Sequence, residues 1–459
     1  MGVFGQLYFY LLYVLKRIFG ENIVASAEYL ELNVITLIAK DPKKERDFRA
    51  KYNVQLSKRF FIVMFLAMLF IGYDMFSSVY MDGMPLESFS FSVRVYCLIA
   101  VAVAYFSAVF LHFAFKMKVI DMLECLGIVF SLSGCIIPHL YAEFFYHDGS
   151  ICVISTLVAS LYLYKGCDMS YMACKLGLAV SFIVRFILLL TNQNYGLQLN
   201  LVEEANIGLA YYSLLVDCYR RHIFTRIKYT VPKFKELSFK EVISFKHSVK
   251  NDQVKQWEAQ ALMEPFNYGF FSSSFFTMSF LYFNGLSKYN FQYPFISFFA
   301  FAALYGSWVF ISKKLKCRDQ KLHQITKIQA FVILFYFIEA SLLFIYSYYF
   351  VIERSDGAYV HKIALLAVLS TITLTAMHPC LLLLCHLMLW TPSIVLQFRR
   401  DVYSFYLSPF LTTMVLLFSC ISQRRYLYAF GQIHTMSTAV EQENSKLVFK
   451  KIDSSKSKV

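Results

Sequence analysis

Long apolar runs recur along the whole chain, and they constrain its fold more than any other feature. A run of about 20 apolar residues can cross the hydrocarbon core of a bilayer as a helix. Hydropathy windows give twelve candidate spans of 14 to 24 residues, near 60–80, 92–115, 119–141, 151–164, 171–191, 205–218, 268–286, 293–312, 328–351, 361–377, 379–397 and 405–421. With 58% hydrophobic residues, 16% charged residues and a mean hydropathy of +0.52, the composition is also unlike that of soluble domains. The sequence therefore predicts an all-α polytopic membrane protein with about twelve transmembrane helices.

Lysine and arginine are distributed unevenly among the segments that connect these apolar runs. When the connections are counted alternately from a cytoplasmic N-terminus, those on the cytoplasmic side hold nearly all of the basic residues. Because Lys and Arg collect on cytoplasmic flanks, this pattern predicts that both termini are cytoplasmic, in a plasma membrane or organelle membrane. It also explains the net charge of +14 without a nucleic acid as partner.

The layout divides the chain into five predicted regions. Residues 1–59 form a cytoplasmic N-terminal segment that starts with an interfacial helix, since the apolar run in the first 22 residues is too short to span a bilayer. Residues 38–59 are rich in Lys and Arg and are interpreted as a cytoplasmic linker. The other regions are a six-helix half at 60–221, a basic cytoplasmic connector at 222–267, a second six-helix half at 268–425 and a cytoplasmic tail at 426–459.

Three short landmarks recur in the same order in the two halves. An aromatic pair, an Asp-Gly turn and a twin arginine appear first as Phe60-Phe61, Asp148-Gly149 and Arg220-Arg221, and again as Phe270-Phe271, Asp356-Gly357 and Arg424-Arg425. Such turns and basic flanks also occur in membrane proteins without repeats. Their order and near-constant spacing favour an internal repeat of two parallel six-helix halves, related by an axis along the membrane normal.

Ionisable residues inside the apolar runs are the candidate site residues, because an unpaired charge in hydrocarbon is unfavourable and is usually retained for function. Glu339 and Arg185 lie deep in predicted spans of different halves. They could line a substrate or ion pathway, or they could form a structural ion pair. Asp74, His386 and His139 are further pathway candidates, although a carboxylate near a span end and a single membrane histidine often serve packing alone.

The sequence indicates no catalytic chemistry. It contains no phosphate-binding glycine loop, zinc-protease motif or nucleophile elbow, and no soluble catalytic domain. Most of the 11 cysteines lie within apolar runs without clustered histidines or carboxylates, so they are interpreted as small buried hydrophobic residues. We therefore expect no enzyme activity, no cofactor and no bound metal.

The twelve-span, two-halves layout resembles the general plan of major-facilitator carriers. The glycine-rich loop that those carriers have after the second span is absent, since residues 115–121 and 312–318 are basic and lack glycine. The resemblance covers the layout alone and implies a carrier or channel whose path runs between the halves. The expected partners are the lipid bilayer, a small solute or ion, and other copies or subunits in a membrane complex. A non-catalytic subunit or scaffold of a larger membrane complex, and a chemosensory receptor with an aromatic pocket, are the alternative functions.

Overall fold

A computed structural model describes residues 3–19, 21–80, 85–86, 89–118, 122, 171–191, 197–231, 234, 236–243, 383, 421–422 and 424–433, and these residues are mostly helical. The named helices are α1 (Val3–Phe19), α2 (Glu21–Tyr29), α3 (Pro42–Tyr80), α4 (Phe89–Ala114), α5 (Tyr171–Thr191), α6 (Leu197–Thr230) and α7 (Phe239–Ile243). Residues 421–422 and 424–433 are also helical, and we call them the C-terminal segment.

Helix α3 is long and has two parts of opposite character. Asp41 caps its start by accepting the N–H of Lys43 at 2.9 Å, and Pro42 occupies the first helical position, where no N–H is needed. Residues 42–59, the charged half, are rich in Lys and Arg, whereas residues 60–80, the apolar half, contain a single charged residue, Asp74. The helix continues through the predicted boundary at 59/60, and the residues interpreted as a linker are therefore helical from Pro42 onward.

Helix α6 is the element around which the described helices pack. It lies against α5, and α1, α2 and α3 also contact it, while α3 packs along α4. At the far end of α6, Ser238 and Glu241 form a reciprocal cap that starts the short helix α7. A small apolar core then joins α7 to the C-terminal segment through Leu237, Val242, Ile421 and Tyr428.

The predicted spans at 60–80, 92–115, 171–191 and 205–218 coincide with parts of α3, α4, α5 and α6, so the helical character expected there is observed. Among the described residues, no helix combines the length and apolar character that crossing a membrane requires. The other predicted spans lie outside the described residues apart from isolated positions. The arrangement of the two halves as a repeat lies outside them as well.

Candidate functional site

Two of the five residues predicted to line a pathway lie on described helices. Arg185 is within α5 and Asp74 is within the apolar half of α3, while the placement of their side chains is not described. Glu339, His386 and His139 lie outside the described residues. The clearest group of interacting ionisable side chains among the described residues is instead at the contact between the charged half of α3 and α6.

The loop between α2 and α3 prepares one side of this contact. Asn33 accepts the backbone N–H groups of Ile35 and Thr36 at 2.9 and 3.2 Å, which closes a tight turn. Leu37 adopts a positive φ of 57°, a conformation that costs free energy for a branched side chain, and its burial in the core compensates for that cost. The turn directs the N–H of Ala39 to the Glu45 carboxylate at 2.9 Å.

Glu45, in the first turns of α3, is the acidic centre of the site. Its carboxylate accepts the Ala39 N–H and the Arg49 Nε, the latter at 3.1 Å, and it also pairs with Arg226 of α6. Burial raises the pKa of Glu45, but the hydrogen bonds from Arg226, Ala39 and Arg49 outweigh burial and lower that pKa to about 2. Glu45 is therefore ionised at neutral pH although its side chain is only 12% exposed.

Arg226 enters the site from α6 and is almost completely buried. Its two terminal nitrogens bind both carboxylate oxygens of Glu45, at 2.7 and 3.0 Å, in the two-pronged geometry that a guanidinium forms with a carboxylate. The guanidinium carbon also lies 4.1 Å from the centre of the Phe48 ring, so the cation contacts an aromatic face. Because each prong of the guanidinium has a partner, the buried positive charge is compensated from several directions.

His222 lies one turn before Arg226 on α6. Its Nε2 accepts a hydrogen bond from Nε, the remaining guanidinium nitrogen of Arg226, at 3.3 Å. Its ring packs edge-on against Phe48, with the ring centroids 5.9 Å apart. A nitrogen that accepts this hydrogen bond carries no proton, so the imidazole proton is on Nδ1. Burial lowers the pKa of His222 well below its usual range, and the adjacent Arg226 charge lowers it further. We call Glu45, Phe48, His222 and Arg226 the α3–α6 junction.

A neutral contact supports the junction one turn earlier on α6. The Tyr219 hydroxyl donates to the Val34 carbonyl at 3.1 Å and so binds the α2–α3 loop to α6. The Tyr219 ring stacks on Phe19 of α1 at 4.0 Å and meets Tyr171 of α5 edge-on at 5.1 Å. Three aromatic rings from three helices therefore fix the section of α6 that presents His222 and Arg226.

The end of α6 also contacts the connector and the C-terminal segment. Glu236 pairs with Lys228 of α6 at 2.9 Å and with Arg425 at 3.1 Å. Arg424 is buried and donates to the Val242 carbonyl at the end of α7, where the last carbonyls of a helix lack partners within the helix. The Phe224 and Tyr426 rings lie 4.8 Å apart. The N-terminal segment, the start of the connector and the C-terminal segment are therefore joined through one helix.

The side chains of the junction hold α3 against α6. Its charged groups bind one another, and it contains no hydroxyl or thiol nucleophile. Within the described part of the chain, no group of three or more His, Cys, Asp or Glu side chains could hold a metal ion. A half-open cavity of about 480 Å³ borders the junction and is lined by Phe48 and Arg226 together with Lys44, Lys51 and Tyr229.

Sequence patterns missed the junction. Glu45 and Arg226 lie in segments interpreted as a linker and as a connector, and His222 was not a candidate. The Asp41-Pro42 pair is a helix-start signal that would have placed Glu45 in a helix, whereas nothing local indicates its partner. No family model, curated protein or solved structure shows a detectable match to this chain.

Proposed function

We propose that this chain is an integral membrane protein that moves a small solute or ion along a path between its two halves, with its termini and connector in the cytoplasm. The observation that carries the topology is the convergence of three segments on the end of α6. These are the N-terminal segment through Glu45, the rest of the connector through Glu236, which pairs with Lys228, and the C-terminal segment through Tyr426. Segments in direct contact lie on one side of a bilayer, as the distribution of Lys and Arg predicts.

Exposed apolar side chains on α3 and α4 support contact with lipid. On the apolar half of α3 they recur every three or four positions, so they form one stripe along the helix, at Ile62, Phe65, Leu66, Leu69, Tyr73 and Phe76. The matching stripe on α4 contains Ile99, Val103, Phe106, Phe110 and Phe113. An apolar stripe of this length is unfavourable in water and favourable against acyl chains.

Helix α1 supports the same proposal at the membrane surface. Four of its aromatic side chains are exposed, namely those of Tyr8, Phe9, Tyr10 and Tyr13. Tyrosine has an apolar ring and a polar hydroxyl, and it concentrates where headgroups meet hydrocarbon. Lys16 follows on the same helix, where it pairs with Glu28 at 3.7 Å. An orientation of α1 along the headgroup layer would cover these rings.

The transport part of the proposal is supported by the sequence positions of Glu339 and Arg185. Each lies in the middle of an apolar run, where an ionised group needs an opposite charge, water or a translocated ion. They belong to different halves, so a path between the halves could pass both. A small cation, or a small anionic solute, is the substrate class that these two charges would attract.

The topology is tested by protease digestion of sealed vesicles that contain the full chain. Trypsin added to the cytoplasmic face should cut both the basic connector, at Lys233–Lys255, and the tail, at Lys446–Lys458. Trypsin on the opposite face should cut neither segment. Cleavage of the connector and the tail from opposite faces would contradict the topology, whatever the protein transports.

Transport is tested by reconstituting the purified chain in proteoliposomes and measuring the flux of protons, Na⁺, K⁺ and Cl⁻. Glu339→Gln should abolish a coupled cation or proton flux without lowering the melting temperature. Glu353→Gln is the matched control, because it makes the same chemical change in a loop between predicted spans. If the native chain carries none of these ions and both variants behave like it, the proposed transport of small ions fails. The alternative of a non-catalytic membrane subunit would then take its place.

A further inference from the structure

The α3–α6 junction contains a feature that a purely structural contact does not need. A buried ion pair is complete with Glu45 and Arg226, yet the third donor of Arg226 binds a histidine that can take up a proton. Histidine is the side chain whose ordinary pKa lies closest to physiological pH. A residue such as Gln could accept the same hydrogen bond without this sensitivity.

We propose that the junction is a proton-sensitive latch, closed while His222 is neutral and opened when His222 gains one proton, so that the charged half of α3 separates from α6. The proposal rests on the described contacts of His222 and is independent of what the protein transports.

Protonation removes the hydrogen bond at the centre of the latch. His222 Nε2 has one lone pair, and Arg226 Nε binds it at 3.3 Å. A proton on Nε2 would place two N–H donors against each other, with two positive charges at that distance. Since Arg226 is held to Glu45 by two hydrogen bonds and by contact with Phe48, it cannot turn away while the latch is closed.

The surrounding charges oppose a histidine cation as well. Arg226 and Arg221 act on His222 from its own helix, and Glu45 and Arg49 act on it from α3. Three guanidinium groups therefore oppose the protonated form, and one carboxylate, already bound by two of these arginines, favours it. Separation of α3 from α6 relieves this repulsion because it brings water to His222 and Arg226.

The geometry also provides a route for the proton. The half-open cavity beside the junction is lined in part by Phe48 and Arg226, and both of these side chains contact the His222 ring. His222 itself does not line the cavity, but these two neighbours of its ring do. A small outward movement of the charged half of α3 would connect His222 to solvent.

The direction of the pH effect follows from the two states. His222 in the open latch is solvated and titrates near its ordinary pKa of about 6.5, while its pKa in the closed latch is well below that. Below about pH 6.5 the open latch therefore binds more protons than the closed latch. The ratio of open to closed latch rises up to tenfold for each unit by which the pH then falls. Above that pH the ratio is constant.

Amide hydrogen exchange of the full chain in detergent tests the latch. Protection of residues 43–52 and 223–230, corrected for the intrinsic pH dependence of exchange, should be constant from pH 7.5 to 6.5. It should then fall up to tenfold by pH 5.5. In His222→Gln, which keeps an acceptor that is not protonated in this range, protection should stay constant. His112→Gln removes a histidine outside the junction and should keep the native profile.

Exchange of the histidine C2 hydrogen, read by mass spectrometry, gives a second measurement on the native chain. His222 should titrate with a midpoint below pH 6.5, and amide protection should already decline at pH values above that midpoint. The latch is refuted if native protection is independent of pH, or if His222→Gln loses protection as the native chain does. It is also refuted if His222 titrates in its ordinary range while the protection stays intact.

Discussion

Lys44 and Glu45 are neighbours in the sequence, and each forms an ion pair with a residue of another element. Lys44 meets Glu31 of the α2–α3 loop at 2.6 Å, and Glu45 meets Arg226 of α6 at 2.7 Å. The distances are nearly equal, but the environments are opposite. The Lys44 and Glu31 side chains are 58% and 63% exposed, whereas those of Arg226 and Glu45 are 3% and 12% exposed.

The comparison shows that the environment, and not the distance, decides what an ion pair contributes. In water, either charge of the exposed pair can be solvated when its partner leaves, so little is lost. In the junction, neither Glu45 nor Arg226 can be fully solvated without separating α3 from α6. A buried ion pair does not necessarily stabilise the fold more than two apolar side chains in the same place would. Removal of one member alone is nevertheless strongly destabilising, because it leaves the other charge buried without a partner.

The largest effect is therefore expected from Glu45→Gln. The variant keeps the shape of the side chain and an oxygen for the Ala39 N–H, but it leaves Arg226 as a buried charge without its counter-ion. We expect the free energy of opening between α3 and α6 to fall by about 3–5 kcal/mol, measured by amide hydrogen exchange at residues 43–52. A loss as small as that of the matched variant Glu31→Gln would show that solvent reaches the junction in the native state.

Acid should reproduce much of that loss without a mutation. The pKa of Glu45 is about 2 in the folded chain against an ordinary value of 4.5, so its ionised form is stabilised by folding. The contribution is complete above pH 4.5 and is lost as the pH falls towards 2, with a total of about 3 kcal/mol. Melting temperatures of His222→Gln between pH 6 and 3 follow this contribution without the titration of the histidine. The same series on the double variant with Glu45→Gln should show a much weaker dependence.

Tyr219→Phe tests an uncharged contact between the α2–α3 loop and α6. It removes the hydroxyl that binds the Val34 carbonyl and keeps the ring between Phe19 and Tyr171. A buried carbonyl without a donor costs about 1–2 kcal/mol, less than a buried charge without a counter-ion. Denaturant titration should therefore place this variant between the native chain and Glu45→Gln. Equal losses in the two variants would mean that the ring contacts, and not the charges, hold the loop to α6.

The positions of the helices were accessible from the sequence, because apolar runs at 60–80, 92–115 and 171–191 are local patterns. The Lys and Arg residues of the charged half of α3 are typical of a cytoplasmic linker, and the sequence interpretation followed that charge pattern. It did not use the helix-start signal at Asp41-Pro42. The junction was beyond local patterns, because Glu45 and Arg226 are 181 positions apart. The sequence pattern predicts that the twin arginines at 220–221 and 424–425 flank membrane spans, whereas Arg220, Arg221 and Arg424 are buried.

The smallest effect is expected from the exposed pair, and it completes the comparison. Lys44 lowers the pKa of Glu31 through a hydrogen bond, so the two residues do interact. Glu31→Gln should nevertheless leave the protection of residues 43–52 unchanged, since water replaces Glu31 around Lys44 and the backbone bond from Lys40 to the Glu31 carbonyl is retained. Raising ionic strength from about 0.01 M to 1 M shortens the screening length from about 30 Å to 3 Å and should erase any residual difference from the native chain. The loss in Glu45→Gln should persist at high salt, because ions do not enter the buried junction. A salt-sensitive loss in Glu45→Gln would mean that the junction is as open to solvent as the Lys44–Glu31 pair.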